Sequence, residues 1–494
     1  MGSTRYAFIA GLILLLGACS FTPTLKVPQV PTVDSYKELG SWTEARPADR
    51  LPRDSWWTLY DNTELDELEE RLIAGNPTLA AALANYGQAK ALSEQARAGL
   101  FPTLGLNASA SRARESVHTP LIGPTTPRYY NDFNIAGTAS YEFDLWGQIR
   151  NEVRTGEANA AASAADLENA RLSLIAELAQ DYIQLRSLDR QSAILEDTVN
   201  TYARALNLTR ERHDAGIAPG LDVSQAETQL NAARSQASQV LVQRALTEHA
   251  IAALVGVSAS TFSLKPATVV IEHPQVPSGV PTTLLERRPD VAAAERRMAA
   301  ANAEIGVARA AYFPSLMLNA QGGFQSTSVS NLISAPSSYW ALGPSVLLSV
   351  FDGGLRRAQV AQARAAFDAS AANYRSTALA AFQQVEDSLA ALNHYRDAAV
   401  EEKAAVEAAQ RSLNFSMALY RQGAADYLTV VTSQTALLQA QLQALNLDTL
   451  QLMASVDLVR ALGGGWQDSA PQASIATEKA VRFESTRPVD SSSP

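Results

Sequence analysis

The chain carries a long internal duplication. Ala98-Gly99-Leu100-Phe101-Pro102-Thr103-Leu104 returns as Ala310-Ala311-Tyr312-Phe313-Pro314-Ser315-Leu316, and Phe143-Asp144 returns as Phe351-Asp352. Each copy of the first motif closes an Ala-rich helical stretch and opens strand-like sequence. Each copy of the second precedes a very long helical run. A repeated helix–strand–strand–helix unit constrains the fold more than any single motif, because both halves leave the same surfaces unpaired. It points to a scaffold or conduit more than to a pocket enzyme.

The strand segments, in hairpins at about 103–144 and 315–352, have period two. Phe133, Ile135, Gly137, Ala139, Tyr141 and Phe143 alternate with Asn134, Ala136, Thr138, Ser140 and Glu142. Leu104, Leu106, Ala108 and Ala110 form a second set, Leu316 to Phe324 a third, and Leu342, Pro344, Val346, Leu348 and Val350 a fourth. Such alternation over roughly ten residues suits a transmembrane β-barrel, with lipid on one face and water on the other. A soluble half-buried sheet is the other reading, and Pro344 counts mildly against a fully paired strand. Four strands cannot close a barrel, and open edges are not tolerated in lipid. The barrel reading therefore needs an oligomer: two, three or four chains would supply about 8, 12 or 16 strands. The Thr-, Pro-, Ser- and Asn-rich segments 115–130 and 326–338 suit the outer loops.

The helical runs are as informative. Asp61 to Leu100 reads as helices broken at Asn76-Pro77, and Leu284 to Tyr312 as another. Gln148 to about Gly256 and Leu355 to about Leu462 are nearly unbroken. Gly216-Ile217-Ala218-Pro219-Gly220 interrupts the first long run and Gly423-Ala424-Ala425-Asp426 the second. Matching Gly216 to Gly423 sets Leu221 against Leu428 and Val223 against Val430. Glycine and proline end helices, so each long run reads as two antiparallel helices joined by a tip turn. Ala158, Ala161, Ala162 and Ala165 permit close packing, although a generic coiled coil would show the same stripe.

The N-terminus reads as a targeting segment. Arg5 precedes an apolar run from Tyr6 to Leu16, then Leu16-Gly17-Ala18-Cys19-Ser20, a signal peptide rather than a stable membrane span. Cys19 is the single cysteine. Its place favours a bacterial lipoprotein, with diacylglycerol on the thiol and an acyl chain on the new amino terminus, over a chance cysteine. One cysteine allows no intramolecular disulfide. Net charge is −10, which does not suit nucleic-acid binding. The expected division is a signal peptide at 1–18, a lipidated extended tether at 19–57, a first repeat at 58–256 and an equatorial linker at 257–283. A second repeat at 284–463 and a polar tail at 464–494 complete it.

The five histidines have no metal-ligand spacing. Phosphate-loop, nucleophile-elbow and zinc-hydrolase motifs are missing, so no enzyme, cofactor or metal is expected.

Several stretches together resemble the outer-membrane channel components of bacterial tripartite efflux systems, the outer membrane factor family of TolC/OprM-type channels, and within it the NodT-like lipoprotein branch. They are Leu16-Gly17-Ala18-Cys19, Ser140-Tyr141-Glu142-Phe143-Asp144-Leu145-Trp146-Gly147, Glu286-Arg287-Arg288-Pro289-Asp290, Ala308-Arg309-Ala310-Ala311-Tyr312-Phe313-Pro314 and Tyr420-Arg421-Gln422-Gly423. The resemblance implies a mixed α and transmembrane β fold: a homotrimer with a 12-stranded outer-membrane barrel continuous with a periplasmic α-helical tunnel. It implies a passive exit path for small molecules, docked to a periplasmic adaptor (membrane fusion) protein and to an inner-membrane transporter, expected to be proton-driven. Outer-membrane lipid is the other partner.

The same resemblance places a pore gate at Leu428 and Thr432, with Asp426 just ahead as either a pore carboxylate or a helix cap. Some relatives carry aspartate where this chain has Thr432, which weakens a deep acidic ring. Gly216, Pro219, Gly220, Asp222 and Gly423 belong to the tip turns that meet the adaptor, with capping favoured for Asp222. Tyr420 and Arg421 are candidates for packing or pairing across the closed tip. Tyr141, Phe143 and Trp146 suit an interfacial aromatic belt, with junction packing as the alternative. A non-conducting cell-envelope scaffold lipoprotein is the competing function.

Overall fold

The computed structural model describes residues 21–28, 36–38, 55–116, 128–274 and 288–464. Cys19, the signal segment and the C-terminal tail lie outside the described residues. The elements are α1 (Thr63–Gly75), α2 (Pro77–Ala98), β1 (Thr103–Arg114), β2 (Tyr129–Phe143), α3 (Gln148–Asp214), α4 (Gly220–Leu254), α5 (Pro289–Ala310), β3 (Ser315–Ser326), β4 (Ser338–Leu347), α6 (Leu355–Gln422) and α7 (Tyr427–Ala461).

The duplication is metrical in three dimensions. Pro77 and Ala98 bound α2 as Pro289 and Ala310 bound α5, an offset of 212 (289 − 77), and β1 and β3 start at the same offset. From Gly147 onward the offset is 207: Gly147 answers to Gly354 (354 − 147), Gly216 to Gly423, and Gly220–Leu254 to Tyr427–Ala461. By that measure Phe143 answers to Val350, so the Phe351-Asp352 echo stands one residue late. The two connections nevertheless have equal length, seven residues from Ser140 to Gly147 (147 − 140) and seven from Leu347 to Gly354 (354 − 347).

Local chemistry sets the helix ends. The Asn62 and Asn76 side chains accept from Leu65 N at 3.0 Å and Leu79 N at 2.9 Å, capping α1 and α2, with Pro77 in the first turn of α2. The expected start at Arg288-Pro289-Asp290 serves a wider purpose. The Arg288 guanidinium donates to both Asp290 oxygens (3.0 and 2.6 Å), to Gln384 Oε1 (2.8 Å) and to Ala461 O (3.0 Å), tying α5 to α6 and to the end of α7.

The two long runs are hairpins with unequal arms. α3 has 67 residues and α4 has 35; α6 has 68 and α7 has 35. At about 1.5 Å per residue the long arms span about 100 Å. A 35-residue partner leaves the upper part of α3 uncovered, and there α2 and α5 pack against it. The helices follow one another as α2, α3, α5, α6, each packed on the next. The strands above them pair as β1, β2, β3, β4, all antiparallel.

Between sheet and tip lies an equatorial core in which Trp56, Tyr60, Leu65 and Leu72 pack with Ile183, Val385 and Val456. Fully desolvated charge pins the α4–α5 connection there. Asp189 accepts from Arg186 at 2.6 Å, from Arg244 at 2.6 Å and from Ala267 N at 3.1 Å. Arg186 also reaches Lys265 O (2.9 Å) and Arg244 reaches Leu264 O (2.7 Å). A buried ion pair adds little net stability but is costly to break, so it holds the connection in place at Leu264, Lys265 and Ala267.

Candidate channel gate and membrane sheet

The pairing register puts the four alternating patterns on common faces. Leu104 faces Ala139, which faces Ala320, which faces Leu342; Leu106, Gly137, Gly322 and Trp340 form the next row. Leu104 and Leu106 are each 81% exposed. The opposite face is polar and cross-linked by side chains. Ser140 Oγ donates to Asn319 Oδ1 (3.1 Å), Asn319 Nδ2 to Ser345 Oγ (3.1 Å), and Gln325 Nε2 to Asp132 Oδ1 (2.9 Å). β1 and β4 both lack an outer partner within the chain, and Pro344 of β4, opposite Leu318, supplies no backbone donor.

Where strand becomes helix, the same joint is built twice. Gly147 (φ 77°) and Gly354 (φ 94°) start α3 and α6 in the left-handed conformation that favours glycine. Asp144 accepts from Ile149 N (3.1 Å), Arg150 N (3.0 Å) and Arg150 Nε (2.8 Å). Asp352 accepts from Gly354 N (3.0 Å) and from Arg356. Neither arginine stood out in the sequence; an acidic residue before a glycine with an arginine in the next turn is the readable signal. Trp146 packs at this junction. Its Nε1 donates to Pro314 O at 2.7 Å and its ring stacks on Phe313, centroids 4.8 Å apart. Tyr141 and Phe143 pair edge-to-face at 5.0 Å on the apolar face of β2.

At the far end the four helix termini converge on one apolar cluster: Tyr202 and Ala205 of α3, Ala226 and Leu230 of α4, Leu413 and Tyr420 of α6, Tyr427 and Val430 of α7. Both turns end a helix in the same way, with Ile217 N donating to Arg212 O (2.8 Å) and Ala424 N to Leu419 O (2.9 Å) around Gly216 and Gly423, each at φ 75°. Asp426 caps α7: its Oδ1 accepts from Thr429 N (3.0 Å) and Thr429 Oγ1 (2.6 Å), which hold the carboxyl below its ordinary range. Asp222 does not cap α4. Pro219 occupies the cap position, Gly220 begins the helix, and Asp222 falls in the first turn. Burial raises its carboxyl, Asp426 raises it further, and Arg212 opposes both.

Tyr420, 2% exposed, lies under the Arg212 guanidinium (4.8 Å) and edge-on to Tyr427 (5.3 Å), and Arg212 donates to Arg421 O (3.2 Å). Arg421 itself is exposed. Leu428 is 55% exposed, and Thr432 donates back to Leu428 O (2.9 Å) on the same exposed face of α7. Sequence reasoning missed Arg212 and Gln434. The buried residues Tyr427, Val430, Gln434 and Leu437 recur at heptad spacing, which was the available signal for the latter. Neither amide atom of Gln434 has a partner among the described residues.

A family profile described as outer membrane efflux protein matches residues 68–257 and again 280–464. The chain belongs to the outer membrane efflux protein family. The two matches follow the duplication. The chain is 31% identical to the toluene efflux pump outer membrane protein TtgC of Pseudomonas putida, covering 95% of this chain and 98% of the relative. It is 33% identical to the pyoverdine export outer membrane protein OpmQ of Pseudomonas putida, covering 94% and 99%. The solved outer-membrane channel OprN superposes with a TM-score of 0.84 at 29% identity, over 91% of this chain and all (100%) of that one. The chain is therefore an outer-membrane channel component of an efflux pump system, not an enzyme, and its helices form a large periplasmic part. No helix among the described residues is long and apolar enough to cross a membrane.

Proposed function

We propose that three copies of this chain close a 12-stranded outer-membrane barrel over a helical tunnel, and that the tunnel is gated at its periplasmic tip. The observation that carries this reading is the sheet: one lipid-compatible face, one polar face, and two unpaired edges. Closure with neighbouring copies removes edges that lipid does not tolerate. The helical layer is open at α2 and α6 in the same order, so one operation closes both. Family membership implies trimeric assembly and a tripartite pump. A periplasmic adaptor docks on the tip turns, where Ile217 and Leu221 are exposed, and a proton-driven inner-membrane transporter supplies the free energy.

The gate consists of Leu428 and Thr432 rings, with Asp426 serving first as a cap. A leucine ring closes a pore by dewetting. The cargo is a range of small organic molecules, as the toluene and pyoverdine relatives suggest. Tyr141 and Phe143 belong to the interfacial belt, and Trp146 packs the junction beneath it.

Lipid on Cys19 anchors the same level. Phe21 stacks on Phe313 at 4.4 Å, Arg309 donates to Phe21 O (3.1 Å), and Asn302 donates to Pro23 O (2.9 Å). Two residues of chain reach at most about 7 Å, so an acylated Cys19 enters the leaflet beside the barrel base.

Purified protein in planar bilayers tests the reading. Trimers with single-channel conductance are expected, and Leu428→Ala with Thr432→Ser raises conductance or open probability. A soluble, non-conducting monomer defeats the channel, and an unchanged double variant defeats the gate.

A further inference from the structure

The internal repeat specifies how neighbouring chains pair, once the trimeric reading above is taken as its basis. β2 and β3 form the seam between the first and second copies; β4 and the β1 of the next chain form the seam between a second copy and the following first copy. Across β2 and β3 the paired numbers sum to 459, as in Phe143 with Leu316 (143 + 316). β4 follows β2 at an offset of 207, since Ser140 and Leu347 hold equivalent partners Thr103 and Ser315 (347 − 140). β3 follows β1 at 212 (315 − 103).

We infer that β4 pairs antiparallel with β1 of the neighbouring chain in the register that sets Ser345 opposite Ser109, Val346 opposite Ala108, and Val350 opposite Leu104.

Two independent observations agree with this register. First, it keeps both faces: even-numbered residues of both strands are on the apolar side, and a one-residue slip would turn one strand over. Second, it explains where β4 stops. The last residues of β2, Tyr141 to Phe143, are paired by β3 alone, because β1 pairing ends at Ser140. Their equivalents are Leu348 to Val350. β4 ends at Leu347, where its pairing with β3 ends, and Val350 is left 90% exposed. Those three residues wait for Leu106, Gly105 and Leu104 of a second copy. The junction below differs in filling: the equivalent of Trp146 is Gly353 (353 − 146), so Phe101 of the next chain, 68% exposed here, meets a glycine and not an indole.

Cysteine cross-linking tests the register in the full chain, whose single cysteine is Cys19. The variants are Ser109→Cys with Ser345→Cys, and Ala108→Cys with Val346→Cys. Consecutive pairs alternate between the wider and the closer kind, so one of the two has the favourable spacing. Controls shifted by two residues pair Ser345→Cys with Ser111→Cys or with Asn107→Cys. Opposed Cβ atoms lie about 4.5–5.5 Å apart and shifted ones about 7–8 Å, so oxidation of trimers should give about tenfold more covalent trimer from the better predicted pair than from either control. A shifted control that cross-links more, or an assembled trimer in which neither predicted pair cross-links, overturns the register and leaves the channel standing. Native mass measurement showing no trimer overturns the channel reading and the register with it.

Discussion

The turn between α3 and α4 and the turn between α6 and α7 share a backbone and differ in chemistry. Both pass through a glycine at φ 75° and both close the preceding helix with the same pair of carbonyl contacts. At the offset of 207, His213 answers to Tyr420, Pro219 to Asp426, Leu221 to Leu428 and Gln225 to Thr432 (432 − 225). His213 is exposed and turns back on its own loop, its Nδ1 2.8 Å from Ala218 O. Tyr420 is buried and carries the contact between the two hairpins. Duplication preserved the fold of the tip and not its contacts: Tyr420 of the second turn packs under Arg212, while His213 of the first bonds within its own loop.

The largest expected effect separates Tyr420 from His213. Tyr420→Ala removes a buried ring and should cost about 3–5 kcal/mol at the tip. It should lower the first thermal transition and raise conductance, whereas His213→Ala should leave both near wild type. Equal effects would erase the distinction between the turns. Leu428 and Leu221 come next. Leu428→Ala should alter conductance of the isolated channel, and Leu221→Ala should weaken adaptor capture several-fold with conductance unchanged. An altered conductance in Leu221→Ala would move the gate to both hairpins.

Smaller effects concern the caps and their charge. Asp426→Ala removes the only side-chain cap of the two tip helix starts and should destabilise the second turn, while Pro219→Asp should gain less than about 1 kcal/mol at the first. Thermal midpoints of the two variants should shift in opposite directions. The pH dependence should show both carboxylates. The Asp426 carboxyl is lowered, so its contribution is present above the ordinary carboxylate range and lost as pH falls through its folded value. The Asp222 carboxyl is raised, so the stability it allows in acid is lost as pH rises through its folded value. The tip should be most stable between the two, and Asp222→Asn should flatten the upper limb only. A midpoint that does not vary in mildly acid solution would exclude the coupling.

Much of this was legible in the letters. Alternation in Leu104–Ala110 and Phe133–Phe143 placed strands and faces, because a pleated backbone has a fixed period of two. Gly216 and Gly423 marked the turns, because a positive φ favours glycine. Other features were hidden. Glu69 stands among Leu65, Leu68 and Leu72 on the buried face of α1, with its carboxyl pushed up to about 9 by burial, against every expectation for a glutamate on a helix. Arg212 reads as surface until α6 lays Tyr420 beneath it.

The sequence by itself determined the repeat, the two periodicities and the breaks between elements, since these depend on neighbours within a few residues. Tertiary structure alone decided what those elements meet. It packed α2 and α5 against α3 alongside its hairpin partner α4, because a 67-residue stripe cannot be covered by 35 residues. It placed Asp426 at the cap of α7 and Asp222 in the first turn of α4, because the helix start is fixed by the turn geometry and not by the nearest aspartate. It also left β1 and β4 without an outer partner within the chain, because the four strands pair in the open order β1, β2, β3, β4.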